Sequence, residues 1–325
     1  SNGMITTSLL QDCPIHERPW GQSWWAKFLT FNYMLPPKVD VQFEGLENIP
    51  TDRPVCFAMN HTDRYNCWPF QWHLLRTRQE FAVTWVKAKY YQNIFIRKFL
   101  LSTSNIPLAS RGYVISSRFK EQIGRPPTHQ EYRFIRNLLD GRLDIDEETM
   151  LQATSECRQF LAPTPTQQLQ QLNTEFNTLS EEVVKLNQRA LDLGHHILVF
   201  PQGTRSKRLL SGHTGLAQMT QRLNLDIVPI GCMGSERCYD RNVPWAKSGT
   251  IRYRIGKPLT IMGDKLSPHH IQESFTPFSH DAQLRFGNRF RKITDIVMDE
   301  INELLDEEYR YDPEATQSVD TKRFL

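Results

Sequence analysis

The sequence predicts an α/β fold, a layered mixed β-sheet flanked by helices and interrupted by a helical insertion. Three observations carry this. Short β-prone segments recur along the chain, several of them separated by helical patterns, which is the alternation of a layered α/β domain. The stretch from about 112 to 192 breaks the alternation with paired prolines, many glutamines and an acidic run. A final apolar periodicity of three and four residues marks a closing helix. The totals agree: 325 residues bury a sizeable core, and 39% hydrophobic with 23% charged residues is an ordinary soluble composition.

The elements follow in order. Ser1-Asn2-Gly3 ahead of Met4 reads as an expression remnant, and Asp12, Pro14 and Glu17 break any signal-peptide pattern. Residues 4–37 form an N-terminal aromatic, amphipathic segment whose centre is WGQSWWAKFLTFNYMLP. Trp24, Phe28 and Phe31 suit one face of a helix stopped by Pro36-Pro37. Two readings stand: a core-packing helix, or an interfacial segment whose tryptophans and tyrosine sit at a membrane surface. An α/β domain spans 38–311. Its strand candidates are Val41 and Phe43, then Val55, Phe57 and Met59, then Phe81, Val83 and Trp85, then Ile106-Pro107-Leu108, then 197–200, 227–230 and 251–255.

Within the insertion at about 112–192, residues 129–139 have helix-forming composition and Asp140-Gly141 ends them. Leu169, Leu172, Phe176, Leu179, Val183 and Leu186 recur at helical spacing across 167–192. The insertion is either a lid or interaction surface, or a peripheral helical pair. Ile293, Ile296, Val297, Ile301, Leu304 and Leu305 mark the last helix, and 312–325 reads as a loose tail.

Several function classes are excluded at this level. A net charge of +3 makes no case for nucleic acid. Six scattered cysteines without a C-x-x-C pair fit buried thiols and a reducing compartment, and offer no zinc ligand spacing. There is no run of 18 apolar residues for a membrane span. Nothing in the pattern calls for a metal or other cofactor.

Two short motifs carry chemistry. NHTDRYN, residues 60–66, follows a strand, and FPQGTRS, residues 200–206, follows another. Alone, the first is a polar strand end. The second alone is a strand-to-helix turn with Gly203 for backbone freedom. Together and in this order they resemble the 1-acylglycerol-3-phosphate O-acyltransferase family of glycerolipid acyltransferases. That family carries N-H-x-x-x-x-D and, downstream, F-P-E-G-T-R-S. Asn60-His61 matches the first motif, while Phe200-Pro201 and Gly203-Thr204-Arg205-Ser206 match the second. An arginine after a short apolar strand matches Arg111, and an apolar stretch with proline matches Ile227-Val228-Pro229-Ile230. The resemblance covers about 40–111 and 190–260.

Two departures mark a divergent member. The family aspartate falls at Asn66 and the family glutamate at Gln202. The resemblance implies transfer of a fatty acyl group from a thioester, on coenzyme A or an acyl carrier protein, to a hydroxyl of a lysophospholipid or related acceptor. It makes His61 the general base, with Asn66 orienting it and Asp63 as a substitute carboxylate. It makes Arg111, Gln202, Gly203, Thr204, Arg205, Ser206 and Pro229 the substrate-binding set. It also implies a cytoplasmic protein, peripheral at the inner face of a membrane. The two amides leave open a weak or inactive lipid- or carrier-binding homologue, or an acceptor without phosphate.

Overall fold

The computed structural model describes residues 5–36 and 38–312. All seven strand candidates are strands: β1 (Val39–Glu44), β2 (Cys56–Met59), β3 (Ala82–Lys87), β4 (Ile106–Leu108), β5 (His196–Val199), β6 (Ile227–Met233) and β7 (Gly249–Ile255). They form one sheet in the order β1-β7-β6-β2-β5-β3-β4. Pairing is parallel except between β6 and β7.

The helices in chain order are α1 (Thr7–Gln11), α2 (Trp20–Met34), α3 (Trp68–Arg78), α4 (Ile94–Ser102), α5 (Arg111–Ile123), α6 (His129–Leu139), α7 (Glu147–Leu151), α8 (Ser155–Leu161), α9 (Pro165–Asp192), α10 (Gly215–Leu223), α11 (Ser235–Cys238) and α12 (His280–Leu304).

The sheet is buried on both faces in its middle. β2, β5 and β6 are buried at every residue, which is why they read as unbroken apolar runs rather than alternating ones. Phe57 and Met59 of β2 pack toward α2 and α3, while Cys56 and Ala58 join the opposite layer of α9, α10 and α12. β1 lies at the sheet edge, and its strand alternates buried and exposed residues at first.

The insertion is α5 through α9. All six apolar residues that set the period of α9 are buried. α6 spans the expected residues, starts with a Thr128–Glu131 capping box and ends at Asp140, with Gly141 in the left-handed region at φ +69°. α9 packs against β4 and β5, so the insertion is an integral layer rather than a peripheral pair. The N-terminal segment is likewise no separate body: α1 lies on α9, with Ile5 and Leu10 buried there. Of the expected tail, only Asp312 lies within the described residues.

α2 divides the two readings of its sequence. Gly21, Ala26, Leu29 and Tyr33 are buried, whereas Trp20, Trp24 and Phe31 are exposed. The six cysteines are free and buried, and no group of potential metal ligands occurs among the described residues.

Candidate functional site

Four parallel strands, β2, β5, β3 and β4, end at one edge of the sheet, the usual place for ligands in an α/β fold. Lys87 ends β3, and the segments that leave the other three ends carry His61, residues 200–206 and residues 110–113.

The first turn is built from side-chain amides. Asn60 continues the ladder with its side chain: Nδ2 donates to the carbonyl of Cys232 at 2.9 Å and Oδ1 accepts from the Cys232 amide at 2.7 Å. That bond holds the end of β2 against β6 and sends His61 out of the sheet. Asn66, fully buried, donates from Nδ2 to the Asn60 carbonyl at 2.8 Å. With the amide so oriented, its Oδ1 faces His61 Nδ1 at 3.0 Å. An amide oxygen only accepts, so the imidazole proton sits on Nδ1 and the lone pair on Nε2. Phe200 stacks on the ring at 4.0 Å between centroids. Burial, together with the nearby charges of Arg205 and Lys87, lowers the His61 pKa to about 4, and the Asn66 bond offsets this only in part. His61 is therefore neutral at pH 7, but a weak base.

Asp63 does not take the place of the missing carboxylate. It accepts from Thr62 Oγ1 at 2.7 Å, the Tyr65 amide at 3.2 Å and Ser235 Oγ at 3.1 Å, none of them on the imidazole. Burial raises its pKa to about 6 against those bonds. Its role is to tie the turn to the start of α11.

The second loop closes over the first. Gly203 takes φ +67° and donates its amide to Phe200. The Ser206 amide donates to the His61 carbonyl at 2.8 Å, and Gln202 Nε2 donates to the same carbonyl at 3.2 Å and to the Thr204 carbonyl at 2.9 Å. Gln202 is buried and does not line the cavity described below. The expectation that it contacts an acceptor gives way to a structural role. Its position between two carbonyl oxygens requires a donor, and a glutamate there would set a carboxylate against both.

The two loops wall a cavity of about 1290 Å³. Most of its lining is apolar or aromatic, including Trp25 of α2, Trp68 and Trp72 of α3, and Phe176, Leu179 and Val183 of α9. Arg64, Lys87, Lys89 and Arg205 also line it, and among the described residues no aspartate or glutamate does. Gly203 and Thr204 line it beside Arg205, whereas Ser206 and Pro229 do not. Pro229 is buried in β6, paired with Ala58.

Arg111 also departs from expectation. Its neighbours Ser110 and Gly112 line the cavity, but Arg111 does not. The guanidinium is buried and ion-paired with Asp140 at 2.6 Å. Asp140 caps α6 and also pairs with Arg136 at 3.1 Å. A buried arginine needs such a partner, and here the partner anchors the insertion to the end of β4. The cations that line the cavity are Arg205, Arg64, Lys87 and Lys89.

Sequence reasoning missed the α9 wall, the tryptophans of α3, Lys87 and His213. α9 advertised its buried stripe but not which layer of it would face a cavity. His213 lines the cavity, and burial lowers its pKa. It follows no motif that would have drawn attention.

No protein-family model matches the chain, and no curated protein matches it. Among solved structures, the chain is similar to the 1-acyl-sn-glycerophosphate (LPA) acyltransferase PlsC from Thermotoga maritima, at 14% identity over 89% of this chain and 78% of that one, with a TM-score of 0.41. A match this distant carries no argument about chemistry, which rests on the side chains described above.

Proposed function

We propose that the chain is an acyltransferase that moves a fatty acyl group from a thioester donor, acyl-CoA or an acyl carrier protein, to a hydroxyl of a lysophospholipid or related acceptor. The observation that carries this is a neutral histidine, its Nε2 lone pair available, on the wall of a large apolar cavity that, among the described residues, is lined by four lysines and arginines and no carboxylate. Apolar walls suit an acyl chain, and an acid-free cationic lining suits a phosphate or the anionic part of a donor.

On this reading the acceptor hydroxyl gives its proton to His61 Nε2 as its oxygen attacks the thioester carbon. The oxyanion collapses, the carbon–sulfur bond breaks, and the thiolate leaves with the proton from Nε2. Asn66 holds the tautomer but adds no charge to stabilise the imidazolium. Acceptor and donor both have lipid character, so the site works at a membrane surface, with the protein peripheral at the cytoplasmic face.

A second reading keeps the cavity as a lipid- or carrier-binding site with little turnover. The uncharged Asn66, the low basicity of His61 and the engagement of Arg111 by Asp140 favour it. Thiol release from acyl-CoA and acyl carrier protein, measured with and without a panel of acceptors, separates the two. Acceptor-dependent thiol release together with an acylated product, both lost in His61→Ala, supports transfer. Tight binding of acyl-CoA without release supports the second reading.

A further inference from the structure

We propose that α2 and the segment Ala88–Ser102 together form one bilayer-docking face selective for anionic phospholipid. This deepens the proposed function by naming the surface through which a lipid would enter.

The observation is α4. It reads IFIRKFLLS, yet only Leu100 and Ser102 are buried. Phe95 is 79% exposed and Ile94 61%, and Ile96, Phe99 and Tyr90 are exposed beside them. A helix this apolar around its circumference belongs in a core or in lipid. α2 is fixed against it: Trp25 meets Phe99 edge-on at 5.7 Å, and a Cβ at Gly21 would stand 2.3 Å from Ser102 Oγ. The exposed ridge of α2, Trp20 (62%), Trp24 (64%) and Phe31 (67%), therefore extends the same apolar surface. The whole exceeds the scattered single hydrophobes that need no explanation.

Charge selects the occupant. Residues 20–36 and 87–102 contain Lys27, Lys87, Lys89, Arg97 and Lys98 and no aspartate or glutamate, in a chain with 39 cations against 36 acids. Protein interfaces are depleted in lysine at their cores. Aromatic and aliphatic side chains set among lysines and arginines are the composition of an interfacial helix on an anionic bilayer. Among the described residues no helix is long and apolar enough to cross a membrane, so the face lies on the bilayer. Continuity with the site is direct: Trp25, Ile96 and Phe99 also line the cavity. A docked face thus opens the cavity toward the acyl region of one leaflet.

The test is partition of the full chain onto vesicles of phosphatidylcholine alone and of phosphatidylcholine mixed with phosphatidylglycerol, read by sedimentation without any thioester. Wild type favours the anionic vesicles, and added salt weakens that preference. Ile94→Ser with Phe95→Ser lowers partition onto both by about tenfold or more, as expected for losing two buried apolar side chains, with the melting temperature unchanged because both residues are exposed. Lys27→Glu with Lys98→Glu reduces binding to anionic vesicles to the neutral level. Trp24→Ser alone lowers partition without touching the cavity wall, and serves if the serine pair unfolds. The proposal is overturned if wild type does not partition, or if the serine variants partition as wild type does. Self-association abolished by Phe95→Ser, with no vesicle binding, also overturns it and assigns the face to a second copy. Because no turnover is read, failure of acyl transfer leaves this result standing, and failure of partition leaves the transfer assay interpretable.

Discussion

The turn at 60–66 and the loop at 200–206 each carry an amide where the motifs they resemble have a carboxylate, and the two amides do different things. Asn66 touches the imidazole at 3.0 Å and, on the proposed function, acts on the base directly. Gln202 points the other way, into the carbonyls of His61 and Thr204, and holds the loop shut. Equal changes in sequence, each the loss of one negative charge, are therefore unequal in consequence. The deciding variable is what faces the side chain: a ring that titrates in one case, two backbone oxygens in the other.

The largest expected effect isolates the shared element. His61→Ala removes the base and should lower turnover by about 10²–10⁴-fold, while the His61 carbonyl that joins the two loops remains. Circular dichroism of the variant should match wild type. Retention of most turnover, with acylated product confirmed, would end the general-base assignment.

Gln202→Glu comes next, and it tests the structural half of the contrast. A carboxylate buried against two carbonyl oxygens should cost about 3 kcal/mol of stability, or else stay protonated. Its folded pKa is then raised, so its stability deficit is smallest in acid and grows as pH rises above the ordinary carboxylate range. Chemical denaturation at two pH values reads this. A deficit independent of pH would show that the loop rearranges to solvate the charge.

Asn66→Asp should be smaller and of different character. One carboxylate oxygen accepts from His61 Nδ1, but the other meets the Asn60 carbonyl, where the amide now donates at 2.8 Å. The gain in imidazolium stability is thus set against a buried repulsion, and turnover at pH 7 should stay level or fall. The clearer signal is the pH profile. In wild type the neutral ring survives well below pH 6.5, because its pKa is lowered to about 4, so the rate holds into mild acid. The new charge raises that pKa and moves the acid limb upward. A large rise in turnover on lysophosphatidic acid in the Asn66→Asp, Gln202→Glu double variant would contradict this account.

The smallest effect at pH 7, and one that grows in acid, is in stability. A histidine whose folded pKa is lowered resists the proton that the unfolded chain takes up near pH 6.5. Its contribution is present above that pH and is lost as pH falls from 6.5 toward 4. His61→Ala should therefore flatten the acid side of the stability profile. Part of the slope should remain, since burial lowers the pKa of His213 as well. An unchanged slope would place the ring in solvent.

Much of this molecule was legible in the chain. The central strands were visible because buried strands must be apolar whatever surrounds them, the edge strand β1 because its apolar residues alternate, and α9 because its six buried positions keep helical spacing. The two motifs lie at one sheet edge because parallel strands deliver their following loops to the same side. What stayed hidden depends on partners distant in sequence. Arg111 looked like an anion binder until Asp140, at the end of α6, took its charge. Gln202 looked like a substrate contact until the His61 carbonyl lay beneath it. Phe176 and Leu179 showed a helical period but not that they face a cavity. The exposed half of α2 was indistinguishable from its buried half, since tryptophan suits both places. Sequence by itself determined which residues must leave water and which could carry a proton or a charge, because hydrophobicity and ionisation belong to the side chain. Only the tertiary structure decided which face of a helix meets a cavity, which cation is already paired and which amide touches the histidine, because those are distances between residues that the chain brings together only when folded.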